Sequence, residues 1–209
     1  AMHIPALADI VFKYIFGSQE STEILKAFIN AVLKDAGFSS IESVSITNPF
    51  NVKTYVDDKP SIIDTRAEDS RGDMFNIEVQ VRTQADFQER SLYYWAKAYS
   101  EQLTEGHEWG VLHRVTSISI LNFVLFPEQI PFHSVFMLRE NSCQDYILST
   151  DCIMHYLEVP KLFGEPDTEL RQWLYFLDHI DKGNEKMKIL LDNSKILKAA
   201  EDRYKYFLA

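Results

Sequence analysis

Hydrophobic residues recur along this chain with two periods, and the change from one to the other marks its elements. Over residues 8–33 they fall at Val11, Phe12, Ile15 and Phe16, then at Ile24, Leu25, Phe28, Ile29 and Val32. That is the spacing of helices with one buried stripe. Gly17-Ser18 interrupts the run, so two helices are expected, the second starting at Ser21-Thr22-Glu23 and stopping at Gly37. Residues 41–46 alternate Ile, Val and Ile with polar positions, the period of a half-buried strand, and Asn48-Pro49 closes it. Residues 61–82 hold two short alternating runs around Asp69-Ser70-Arg71-Gly72-Asp73, a composition that favours chain reversal and predicts a β-hairpin. Helical spacing returns over 86–103 and closes near Gly106, while 115–126 is an Ile, Leu, Val and Phe run suited to a buried strand. Beyond Pro127 and Pro131, strands are expected over 132–139 and 153–159, and terminal helices over 170–180 and 186–206. This order predicts an α/β fold, a mixed sheet covered by helices.

Parity along the hairpin carries the chemistry. Phe75, Ile77, Val79 and Val81 share one face of the second strand, and Asn76, Glu78, Gln80 and Arg82 share the other. In the first strand Asp64, Arg66 and Glu68 share a face opposite Ile63 and Ala67. With the turn centred on Arg71, Asp64 lies across from Glu78, the two β-carbons about 5 Å apart. Facing carboxylates repel, so such a pair calls for a cation, a proton or an Arg. A divalent ion answers this: Mg²⁺ takes one or two carboxylates and keeps several waters, so Asp64, Glu78 and the Val79 carbonyl suffice to hold it. The alternative is a wet sheet face on which Arg66 and Arg82 neutralise the acids.

Composition narrows the setting. The 209 residues are 46% hydrophobic, enough for one good core, and the formal charge is −10. An acidic chain is poorly suited to non-specific phosphate binding, although an acidic metal site is itself negative until its cation enters. The longest apolar stretch, residues 118–126, is too short to span a bilayer, and no secretion signal is expected; with Cys143 and Cys152 the only cysteines, a reduced, cytoplasmic protein is the expectation. The six His residues show no zinc-ligand spacing, and phosphate-loop, dinucleotide and serine-hydrolase motifs are lacking.

The order of several short blocks resembles the PD-(D/E)XK nuclease family transposases, the recombination-promoting nucleases. The blocks are Asp9, Phe12-Lys13, Phe16-Gly17, Ile63-Asp64, Asn76-Ile77-Glu78-Val79-Gln80 and Arg90 with Tyr93-Tyr94, continuing through Tyr99, Gln102-Leu103 and Gly106. The resemblance is close over residues 7–126 and looser to Leu157-Glu158-Val159-Pro160-Lys161. It implies a restriction-endonuclease-like, three-layer α/β/α fold with a mixed central sheet plus C-terminal strands and helices. It also implies Mg²⁺- or Mn²⁺-dependent hydrolysis of DNA. The nuclease-like domain is expected over 7–163, with a helical extension over 164–209 packed on it or continuing from it. Asp64 matches the family's first acid and Glu78 the acid of its E-x-K motif. Gln80 stands where the wider superfamily has Lys; an amide hydrogen-bonds but carries no charge, so Lys13 and Arg90 are the expected sources of positive charge.

Asp9 and Lys13, four apart on a helix, fit either an exposed ion pair or a pair that approaches metal and phosphate. Arg90 and Tyr94, also four apart, are candidates to face substrate, whereas Tyr93, Trp95 and Tyr99 suit packing. Two readings follow: a Mg²⁺-dependent endonuclease, or a nuclease-like domain that no longer cuts and acts by binding protein or DNA. A two-fold homodimer through the aromatic C-terminal strands is a further expectation.

Overall fold

A computed structural model describes residues 4–50, 65–106 and 108–209. Among them, six strands form one mixed sheet in the order β1-β2-β3-β4-β6-β5: β1 Val44–Ile46, β2 Thr65–Asp69, β3 Met74–Gln80, β4 Val115–Leu121, β5 His133–Arg139 and β6 Ile147–Glu158. β3 pairs with β4 and β4 with β6 in parallel, and the remaining neighbours are antiparallel. The helices are α1 Asp9–Phe16, α2 Thr22–Asp35, α3 Phe87–Ser100, α4 Glu169–His179, α5 Glu185–Asn193 and α6 Lys195–Leu208.

The hairpin register pairs Thr65 with Ile77 and Arg66 with Asn76, which centres the reversal on residue 71. Asp69 makes that turn: its Oδ1 accepts from the backbone N–H of Arg71 at 2.8 Å and of Asp73 at 3.0 Å. Gly72 takes φ +88°, and a β-carbon there would meet the His113 ring at 2.8 Å. Only glycine meets both demands.

Strand parity sorts the sheet into two unlike faces. Phe75, Ile77, Val79, Ile118, Ile120 and Leu157 enter the main core, where α1, α2 and α4 to α6 supply Phe12, Phe16, Phe28, Trp173, Met187, Leu197 and Tyr204. The helices after residue 164 therefore share this core. The opposite face carries a smaller apolar cluster of Phe87, Leu121, Phe123, Cys152, Met154 and Tyr156, covered by α3. The result is the three-layer α/β/α arrangement with a mixed sheet. Because β3 and β4 run parallel, the chain must cross over between them, and α3 is that crossover.

Three boundaries differ from the sequence reading. The helix expected over 186–206 is two, because the Ser194 hydroxyl accepts from the Leu197 N–H and starts α6 anew. The strand expected over 115–126 ends at Leu121, while β6 begins at Ile147, earlier than its apolar stretch, because it extends a hairpin with β5. The part of the first hairpin strand before Thr65 lies outside the described residues.

A chain of polar contacts ties the end of α2 to β5 and β6 at one edge of the sheet. His133 Nδ1 lies 2.6 Å from Asp35 Oδ2, and His133 Nε2 lies 2.9 Å from His155 Nδ1. If His133 donates to Asp35, then His155 donates to His133, and His155 Nε2 is left buried without a partner among the described residues. Burial, with repulsion from His133, holds the His155 imidazole down to about 3. A depressed histidine binds more protons unfolded than folded, so its contribution is present above about pH 6.5 and is lost as pH falls toward 3. The unfolding temperature should therefore fall steeply as pH is lowered across that window, and His155→Phe should flatten the fall; an unchanged slope in the variant would remove His155 as its source.

Candidate active site

The polar face of β3 presents Asn76, Glu78 and Gln80, and the parallel register sets Glu78 beside Ser119 on β4. The Ser119 hydroxyl donates to Glu78 Oε1 at 3.2 Å. From above, Arg90 on α3 reaches down. Its Nη2 donates to Gln80 Oε1 at 3.1 Å and lies 3.4 Å from Glu78 Oε2. Both side chains are largely withdrawn from solvent, Glu78 at 13% and Arg90 at 16% exposure. A carboxylate so withdrawn needs a counter-charge, and a guanidinium supplies one.

The surroundings support these groups. Arg90 lies over the fully buried Phe87 ring, 5.1 Å from its centroid. Gln80 Nε2 donates to the Arg82 carbonyl at 3.0 Å, which fixes the amide with its oxygen toward Arg90. Beneath α3, the Ser91 and Tyr156 hydroxyls meet at 2.7 Å and pin the helix to β6. Burial raises the Tyr156 hydroxyl above its usual range against the Ser91 hydrogen bond, and the Glu78 charge adds to the rise, so Tyr156 stays neutral.

The structure thus brings Glu78, Gln80 and Arg90 together. Asp64 lies outside the described residues. Val79 sits between the two site residues with its side chain in the main core. On α1, Lys13 is buried and donates to the half-exposed Asp9 at 2.9 Å. That helix ends at Gly17, where a β-carbon would come within 2.9 Å of Thr65 Oγ1, so α1 closes onto the start of β2. Tyr94 is half-buried one turn beyond Arg90, its ring 5.5 Å from Tyr93, which is itself exposed. Arg66, considered in the sequence as a neutraliser of the hairpin acids, lies 3.8 Å from Glu101.

Two contributors escaped sequence reasoning. Ser119 stands in an otherwise apolar strand, and the alternation Ser117-Ile118-Ser119-Ile120 was a usable sign that one face of it is polar. Tyr156 gave no such sign. Among the described residues no three His, Cys, Asp or Glu side chains converge as a metal cluster. The oxygens that do converge, a carboxylate and an amide carbonyl, are the hard donors that suit Mg²⁺ or Mn²⁺.

A model of the PD-(D/E)XK nuclease family transposases matches residues 6–207 of the chain. No curated protein and no solved structure matches it.

Proposed function

The chain belongs to the PD-(D/E)XK nuclease family transposases, and we propose that it is a metal-dependent DNA endonuclease that hydrolyses phosphodiester bonds in a transposition or recombination setting. The observation that carries this reading is the convergence of Glu78, Gln80 and Arg90 at the end of β3, where an oxygen-rich pair meets a cation poised for phosphate. In this reading Asp64, Glu78 and the Val79 carbonyl hold Mg²⁺ or Mn²⁺. When bound, the ion supplies an activated water and neutralises charge at the scissile phosphate. Ser119 orients the Glu78 carboxylate, Gln80 hydrogen-bonds the attacking water, and Arg90 binds a phosphate oxygen. Lys13, held by Asp9, and Tyr94 flank the same DNA.

A domain of this fold that binds DNA or protein without cutting is the second reading. Gln80, a neutral amide where the wider superfamily has Lys, favours it. Plasmid nicking with Mg²⁺ or Mn²⁺, assayed beside calorimetric titration of the same ions, separates the two. Metal binding with nicking supports the enzyme; no nicking of any duplex or single-stranded substrate supports the binding domain.

The reading includes a cytoplasmic setting, supported by two free thiols, Cys143 and Cys152. Among the described residues no helix is long and apolar enough to cross a membrane. It also includes a two-fold homodimer through β5, the sheet's outer strand, which exposes Val135, Phe136 and Leu138 and carries no acid between His133 and Arg139. Antiparallel self-pairing places the two-fold axis normal to the sheet, so both sites face the same side. Seven strand spacings then separate the two β3 strands by roughly 33 Å, close to one turn of B-DNA at about 34 Å. Sedimentation should give twice the chain mass, reduced to one chain by Val135→Lys; a monomeric wild type at working concentration would end this part.

A further inference from the structure

We infer that in the metal-free protein the Arg90 guanidinium holds the seat beside Glu78 and Gln80 that the divalent cation takes, so that cation entry releases Arg90 to bind a DNA phosphate. This rests on the reading of Glu78 as a metal ligand and says how that site is regulated.

The geometry is that of one donor bridging two ligand oxygens. Arg90 Nη2 is 3.1 Å from Gln80 Oε1 and 3.4 Å from Glu78 Oε2, two of the side-chain oxygens on the polar face of β3 that suit a hard cation. A divalent ion bound to Glu78 would come within a few ångströms of that nitrogen, where two positive charges repel strongly in a site so poorly solvated. Guanidinium and metal therefore exclude each other, and one must move.

Arg90 is built to be the one that moves. Its Nε is buried and has no partner among the described residues, so the side chain leaves donor capacity unspent in this position. Its guanidinium carbon lies over the Phe87 ring, a face that supports a cation without fixing its direction as an ion pair does. The guanidinium whose Nη2 bridges Glu78 and Gln80 also carries a planar fork that matches the oxygens of a phosphate diester. Displacement toward substrate would exchange one oxygen pair for another.

Two consequences follow. Metal affinity without DNA is held down, because the ion must displace a counter-charge already in place. Metal and DNA binding become positively coupled, because each favours the state in which Arg90 has left Glu78.

The test titrates Mn²⁺ into the full chain without DNA, by calorimetry, and measures the Mn²⁺-induced rise in Tm on the same samples. Arg90→Met keeps the stem and removes the charge; it should bind Mn²⁺ at least tenfold more tightly than wild type and show the larger rise in Tm. Arg90→Lys, which keeps a charge without the fork, should fall between them, and Arg90→Gln reads the same difference should the Met variant fail to fold. Equal or weaker Mn²⁺ binding by a folded, uncharged variant overturns the exchange and makes Arg90 a support of the Glu78 carboxylate. A different result sinks the underlying site: no Mn²⁺ binding by wild type and Arg90→Met alike, or binding undiminished in Glu78→Ala.

Discussion

Glu78→Ala is expected to lose metal-dependent DNA cleavage by on the order of 10²–10³-fold or more, the scale set by removing one electrostatic stabiliser from a water-poor site. The fold should survive. Glu78 touches the Ser119 hydroxyl and the Arg90 guanidinium at the end of β3, while the core on the opposite face is formed by Phe75, Ile77 and Val79. Losing the carboxylate leaves the Ser119 hydroxyl short of a partner and Arg90 leaning on Gln80, a cost of about 1–3 kcal/mol. Glu78→Gln separates the two effects, because it retains a hydrogen-bonding oxygen for Ser119 and Arg90 but removes the charge that holds a cation. It should melt close to wild type and cleave no better than the Ala variant. Asp64→Ala should share the loss of cleavage. Plasmid nicking in Mg²⁺ and Mn²⁺, read beside circular dichroism melting, checks all three; full cleavage by both Ala variants would end the assignment of a catalytic hairpin.

The largest effect on stability is expected at Lys161. Glu158 is fully buried at the end of β6, and its Oε1 accepts from the backbone N–H groups of Leu125 at 2.6 Å and Phe126 at 3.0 Å. Its Oε2 meets Lys161 Nζ at 2.8 Å, and the same ammonium donates to the carbonyls of Phe126, Pro127 and Ile130. The pair thus ties the segment after β4 to the end of β6. Lys161→Met leaves a buried carboxylate without its counter-charge and three carbonyls without their donor. Breaking a buried pair in this way costs about 3–5 kcal/mol, a fall in Tm of roughly 10 °C or more in a chain of this size. Combining it with Glu158→Gln should recover part of the loss, because the stranded charge goes with its partner. Equal melting of wild type and Lys161→Met would mean that the segment is held by packing alone.

Side-chain period and turn composition made the elements legible, because both act within a few residues. The hairpin shows how far this reaches: alternation along 74–80 and the Asp69 to Asp73 turn together set the pairing of Thr65 with Ile77. The same local rules placed Arg90 and Tyr94 on one face of a helix. They failed where a single side chain outweighed the period, as when Ser194 capped a new helix inside an otherwise continuous amphipathic run.

The sequence by itself therefore determined the two-faced hairpin, the helices with their buried stripes and, through the order of its short blocks, the family. Tertiary structure decided what meets what. The pairing of Glu78 with Ser119 depends on β4 lying parallel to β3, forty-odd residues away along the chain. The seating of Arg90 over Glu78 and Gln80 depends on which sheet face the α3 crossover covers. The burial of Glu158 beside Lys161 depends on where the chain after β4 is carried. Period and turn chemistry are properties of neighbouring residues. Long-range pairing is chosen by the burial and hydrogen bonding of the whole sheet, and no short window of sequence contains it.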